Sequence, residues 1–219
     1  MLFDWDYTFE ILPILAEASI ITVNATLLGF VIAASLGLIF AILRMSDRWW
    51  ISLPISAVIE FIRSTPILIQ IFFIYFVFPE FGVTLDAFTA GVIALGLHYG
   101  AYCSEIYRAG MENIPKGQWE ACTALNLSPY VTLRDIIIPQ AIPPIVPALG
   151  NYLIALFKET PLLSSIAVLE LMQMAKILGS ENFRYIEPIT IVGLFFLFFS
   201  LVSALLIKRV EYWLNTRRG

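Results

Sequence analysis

The chain has 219 residues, is 59% hydrophobic, and carries a mean hydropathy of +0.85 and a formal charge of −4. A soluble domain holds about 45–50% apolar residues, so this composition excludes an ordinary soluble domain. It predicts an all-α membrane protein, because a helix satisfies its own backbone in lipid. The first sixteen residues contain Asp4, Asp6 and Glu10 and no Lys or Arg, so they lack the basic start of a signal peptide. A bilayer span needs about 20 mostly apolar residues, and about five segments qualify in a single transmembrane domain covering 1–219. The first is 17–43, in which Ile20 to Leu43 is uncharged. The second, 54–78, qualifies if Glu60 and Arg63 are accommodated. The third, 87–107, is uncharged to Ser104 and holds His98, the single histidine. The fourth, 139–160, carries Pro139, Pro143, Pro144 and Pro147, which predict an irregular helix. The fifth, 187–207, is uncharged from Pro188 to Ile207.

Lys and Arg set the orientation. Arg44 and Arg48 follow the first span, Arg108, Lys116 and Arg134 lie between the third and fourth, and Lys208, Arg209, Arg217 and Arg218 follow the fifth. Placing these inside leaves Lys176 and Arg184 outside, with Arg63 and Lys158 near or within the membrane. The N-terminus is then external and the C-terminus cytoplasmic. Cys103 and Cys122 have no His or carboxylate at metal-ligand spacing and read as small packing residues.

The loop at about 108–138 is polar and ordered. Pro115 can open a helix at its first turn. Trp119, Cys122 and either Leu125 or Asn126 then share a face. Asn126 suits a left-handed helix stop, and Ser128-Pro129 is a start signal for a second helix that runs into the fourth span. An amphipathic loop resting on lipid headgroups remains an alternative. A DNA-reading helix pair is a poor one, since Lys116 and Arg134 face Glu112, Glu120 and Asp135, and phosphate binding needs a basic surface.

The string Glu120-Ala121-Cys122-Thr123-Ala124-Leu125-Asn126, followed by Ile136 and by Ile138-Pro139, resembles the EAA loop of bacterial ABC importer permeases. The spacing of that pattern is intact; Cys122, Asn126 and Ile138 replace its Ala, Gly and Leu. Glu60 to Gln70, Tyr102 to Gly110, Ile114 to Trp119 and Leu156 to Leu162 are similar to segments of the polar amino-acid permeases, in the same order. The overall wording is nearest to ectoine-type or other compatible-solute members of that group.

The resemblance implies the type I ABC importer permease fold, multi-pass in the cytoplasmic (inner) membrane. It implies a coupling helix docked on a cytoplasmic ATPase dimer, with Gly117, Glu120, Ala121, Cys122, Asn126 and Pro139 as the coupling residues. An external solute-binding protein and a second permease, the same chain or a similar one, complete the expected assembly. The chain has no G-x-x-x-x-G-K-[ST] loop, so ATP and magnesium are expected on the ATPase partner. No cofactor, metal or nucleic acid is expected on this chain, and no enzymatic activity.

Ionisable groups inside spans face a bundle interior or a water-filled path. Lys158 and Glu159 end the proline-rich span beside Thr160-Pro161, in a segment that the resemblance sets near the solute path. With Gln70, Tyr99, Tyr102 and Thr160 they form the candidate path residues. Glu60 and Arg63 are spaced to pair on one helix face, and Glu105 with Arg108 reads as a structural pair. Val168, Leu171, Met172 and Ala175 form an apolar stripe outside, read as a helix lying on lipid, as a lid or as a contact for the binding protein. Two rival functions remain. One is a secondary transporter or channel subunit without an ATPase. The other is an intramembrane enzyme using Glu105 and His98, seven residues apart on one face.

Overall fold

In the computed structural model, which describes residues 3–216, every element is helical. The side chain of Asp4 accepts from Asp6 N at 3.0 Å and Tyr7 N at 3.2 Å, and this cap starts α1 (Trp5–Arg44). The first helix therefore begins well before the apolar run at 17. Its added turns bury Ile11 and Leu15 against protein and leave Asp6 and Glu10 exposed.

The second predicted span is two helices, not one. α2 (Trp49–Ser64) ends at Thr65, whose ψ of 140° is the extended backbone that a following proline enforces. α3 (Ile67–Phe72) restarts after Pro66 and continues through a π turn, Phe73–Val77, and a 3-10 turn, Phe78–Phe81. The two arms are bent by 105°. Gln70 holds the elbow: its Nε2 donates to Ile62 O at 2.7 Å and to Thr65 Oγ1 at 2.7 Å, tying α3 back to the end of α2.

α4 (Ala87–Glu112) starts on an Asp86 cap and runs through the middle of the bundle, touching α1, α2 and α3. Among the described residues, three helical runs are individually long and apolar enough to cross a membrane: Trp5–Arg44, Pro129–Ile166 and Ile186–Leu214. The bent α2–α3 pair makes a fourth if taken together. α4 coincides with the third predicted span and is less apolar. Its surroundings are protein, so His98, Tyr99, Tyr102 and Glu105 sit on it without facing lipid.

α1 and α4 pack closely because their contact faces are small. Gly29, Ala33, Gly37 and Ala41 recur every fourth residue and are buried. They meet Gly96, Gly100, Cys103 and Ser104 of α4; a Cβ at Gly37 would lie 2.5 Å from Cys103 Cβ and 2.9 Å from Gly100 O.

After α5 (Lys116–Ala124), a single turn, α6 (Pro129–Val131), leads through a π turn, Thr132–Ile137, into α7 (Ile138–Glu159). The irregular backbone lies at the two ends of the fourth span, not in its middle. α7 stays helical across Pro143, Pro144 and Pro147, and a 3-10 helix, Thr160–Ile166, follows it. The widened turn precedes Pro139, which has no N–H to close the helical bond below it.

The apolar stripe of α8 (Leu171–Glu181) faces the bundle. Leu171 and Ala175 are fully buried against Ile11 and Leu15 of α1 and Ile191 of α9 (Ile186–Thr216). Val168 is buried as well, in the main core. Glu170, itself buried, caps α8 by accepting from Met172 N at 3.0 Å and Gln173 N at 2.8 Å, and Thr22 Oγ1 accepts from Leu171 N at 3.2 Å. Burial raises the Glu170 carboxyl to about 7 against the two backbone donors that lower it. At the same end, Arg184 bridges Asp4 (3.3 Å) and Glu187 (2.5 Å), fastening the start of α1 to the start of α9. Arg217 and Arg218, part of the basic tail used for orientation, lie outside the described residues.

Candidate functional site

Two constellations stand out, an exposed short helix at one end of the bundle and a column of polar side chains along its middle.

α5 stands clear of the bundle. Gly117, Glu120 and Ala121 are exposed, and a Cβ at Gly117 would meet nothing within 4 Å. Cys122 is the buried member of the helix, so it anchors α5 inward and does not present itself to a partner. Gln140 Nε2 donates to Gln118 Oε1 at 3.2 Å and ties α5 to the base of α7. Pro115 precedes the helix as its cap residue, with Lys116 first, one position later than the proline signal placed the start.

Asn126 adopts φ 53°, the left-handed stop expected of it, and Leu127 N returns to Cys122 O at 3.0 Å. Ser128 Oγ accepts from Val131 N at 3.4 Å, and Pro129 opens the next helix. Around the turn, Leu125, Tyr130, Leu133 and Ile138 are exposed apolar side chains, with Pro139 exposed beside them. Of the expected apolar face, Trp119 and Cys122 diverge in exposure and Leu125 points outward.

The polar column begins beside the α4–α5 junction. Glu105 accepts from Arg108 Nε at 3.0 Å and Nη2 at 2.8 Å, pairs with Arg44, and lies 3.5 Å from Arg63 Nη1. Arg108 also reaches Glu112 at 2.5 Å, and Arg63 reaches Glu60 at 3.5 Å, as the i, i+3 spacing predicted. One carboxylate thus joins guanidinium groups from α1, α2 and α4. Above it the Arg63 guanidinium lies 5.2 Å from the ring centre of Tyr102. Tyr102, Tyr152, Tyr99 and His98 then form a connected aromatic wall, with ring centres 5.2 to 6.2 Å apart. His98 Nδ1 donates to Gln70 Oε1 at 3.2 Å, since Gln70 uses its amide nitrogen elsewhere. Glu159 is half-buried within electrostatic reach of Tyr99, and it makes no hydrogen bond or ion pair among the described residues.

Four of the six candidate path residues are therefore gathered: Tyr99, Tyr102, Glu159 and, through His98, Gln70. Two are not. Thr160 is fully buried and its hydroxyl donates to Phe157 O at 2.8 Å; Lys158 is exposed on a different face of α7. Gln70 serves the elbow first, because its amide is occupied on both sides. Tyr152 joins the wall without a motif to mark it; it precedes Glu159 by seven residues and so shares its helix face. The proposed acid–base pair of Glu105 and His98 does not form: the arginines hold one and Gln70 holds the other.

A helical bundle with a polar column and an exposed short helix between two of its long helices is the architecture of a transporter's membrane subunit. The chain belongs to the family of binding-protein-dependent transport system inner membrane components, which it matches over residues 25–216. It is 41% identical to the probable amino-acid ABC transporter permease protein y4tG of Sinorhizobium fredii, over 98% of this chain and 96% of that one. It is 40% identical to the L-cystine transport system permease protein TcyB of Bacillus subtilis, over 91% and 87%. Among solved structures it superposes on a crystal structure of an amino acid ABC transporter with histidines with TM-score 0.91 and 37% identity, covering 97% of this chain and 99% of that one.

The fold is that of a type I ABC importer permease, and the chain is a membrane permease subunit and not an enzyme. Membership of a binding-protein-dependent family with ABC transporter relatives implies an ATPase and a solute-binding protein in general, which removes the self-sufficient transporter or channel as the reading of this chain.

Proposed function

We propose that this chain forms the solute path of an importer for a polar amino acid in the cytoplasmic membrane. Its N-terminus is external, and its 108–138 loop and C-terminus are cytoplasmic. Two permease subunits enclose the path, an ATPase dimer binds ATP and magnesium, and an external binding protein delivers the solute. The relatives whose names state a solute class state amino acids or cystine, which supports this solute class over the compatible solutes.

The exposed α5 carries the reading. A soluble partner needs a surface that the bundle leaves uncovered, and Gly117, Glu120 and Ala121 offer small and acidic groups beside the Asn126 turn. Closure of the ATPase moves α5. Its connections to α4 through buried Ile114 and to α7 through Gln118–Gln140 pass that motion to the spans. Glu159 faces the path and supplies a negative charge for the solute's ammonium group.

Ala121→Trp and Glu120→Lys test the contact. Both positions are exposed, so the variants insert and fold, and both lose ATPase in pull-down and lose uptake. Retention of both activities would sink the assignment of α5 as the coupling helix.

A further inference from the structure

The three guanidinium groups around Glu105 are not held alike. Arg108 makes contacts of 3.0, 2.8 and 2.5 Å, and Arg44 pairs tightly with the same carboxylate. Among the described residues the Arg63 side chain has only two hydrogen-bonding contacts, both at 3.5 Å and both through Nη1. Its Nε is buried with no partner, and Nη2 has none among the described residues. A buried donor left unpaired costs free energy. Its guanidinium is backed by the Tyr102 ring at 5.2 Å, at the foot of the aromatic wall that ends at Glu159. Nε and Nη2 form one edge of the guanidinium fork, and that edge matches the two oxygens of a carboxylate.

We propose that Arg63, backed by Tyr102, binds the carboxylate of the transported solute through its unoccupied Nε–Nη2 edge. Arg63 then selects zwitterionic or anionic solutes over amines of the same size. A carboxylate seated there satisfies both free donors and leaves the Glu105 ion pairs with Arg44 and Arg108 intact. Glu159, at the other end of the wall, meets the cationic group at a different stage of passage. The inference rests on the reading of the polar column as the solute path.

The test uses the assembled permease–ATPase complex in lipid nanodiscs without the binding protein. Equilibrium dialysis finds which standard amino acid binds best, and its α-amide serves as the matched probe without a carboxylate. In Arg63→Gln the amino acid binds about tenfold more weakly, equivalent to about 1.4 kcal/mol, while the amide binds as it does to the wild type. Arg63→Lys keeps the charge and the contacts to Glu60 and Glu105 but lacks the fork, and it falls between the two. Equal loss of acid and amide in Arg63→Gln, with Arg63→Lys discriminating as the wild type does, would make Arg63 a structural residue and overturn the inference. Unchanged binding of the amino acid in both variants would overturn it too. A wild-type complex that binds no amino acid would overturn the path reading itself.

Discussion

Gly37→Val probes the seam on which the bundle is built. The first added atom, Cβ, would lie 2.5 Å from Cys103 Cβ, 2.9 Å from Gly100 O and 3.0 Å from Ser104 N. Non-bonded carbons prefer about 3.5–4.0 Å, so the overlap with Cys103 is about 1 Å. None of these three atoms is the free end of a side chain, so relief comes only from parting α1 and α4. Overpacking costs about 1–3 kcal/mol, and the two further methyl groups of Val put this variant near the upper end. At about 2–4 °C per kcal/mol for a chain of this size, the melting temperature in detergent falls by about 6–12 °C. Gly193→Ala is the control, because a Cβ there meets nothing within 4 Å; it leaves the melting temperature level or slightly raised. Adding Cys103→Gly to Gly37→Val recovers part of the loss, since the contacts to Gly100 O and Ser104 N persist. A Gly37→Val protein that melts with the wild type would refute the claim that these glycines set the helix spacing.

Three other outcomes follow from the same geometry. Glu159→Gln keeps the size and removes the charge, so uptake slows by about tenfold with ATPase coupling intact, the low end of about 1.5–3 kcal/mol for hydrogen bonds to charged groups; unchanged uptake kinetics would mark Glu159 as structural. Glu170 has its carboxyl raised from 4.5 to about 7 in the fold, so the folded state binds the proton more tightly than the unfolded chain. Its contribution is full below pH 4.5 and is lost as pH rises through about 7, and Glu170→Gln flattens the fall in melting temperature across that window. A wild type no more stable at the acid end than Glu170→Gln, relative to the alkaline end, would count against it. Cysteine placed at Asn113 or Gly117 reacts with a membrane-impermeant thiol reagent only from the cytoplasmic side, and labelling from outside alone would invert the topology.

The hydropathy of the chain makes the long helices legible, because lipid demands apolar runs and helical backbone together. The stop at Asn126 and the start at Ser128-Pro129 are equally legible, because each depends on backbone chemistry within a few residues. The elbow at Pro66 is encoded just as locally in Thr65-Pro66, but an apolar run on both sides masks a break that hydropathy does not register. The length of α1 is hidden for the opposite reason. Its first turns are polar, and they are helical because of the Asp4 cap and the burial of Ile11 and Leu15 against α8 and α9. The stripe Gly29, Ala33, Gly37, Ala41 is a four-residue period visible in the sequence, and its partner on α4 is what turns it into a close contact. The candidate site is half legible. Tyr99 and Tyr102 share a wall with Glu159 in electrostatic reach of it, and Lys158, one residue before Glu159 on α7, points to a different face by ordinary helix geometry. Thr160 opens the 3-10 helix that follows, and its hydroxyl turns back onto Phe157 O, which no spacing announces. The Glu105 cluster needs three helices to converge, and no spacing within one helix announces the Arg44 and Arg63 contributions.

The central claim is that this chain moves an amino acid only when a separate ATPase drives it through α5. Its most direct test is uptake of labelled amino acids, offered with the binding protein, into proteoliposomes that hold the permease with and without the ATPase and ATP. The account predicts accumulation against a gradient only when ATPase, ATP and an intact α5 are all present, and none for Glu120→Lys. Concentrative uptake by the permease alone, driven by an ion gradient, would contradict it.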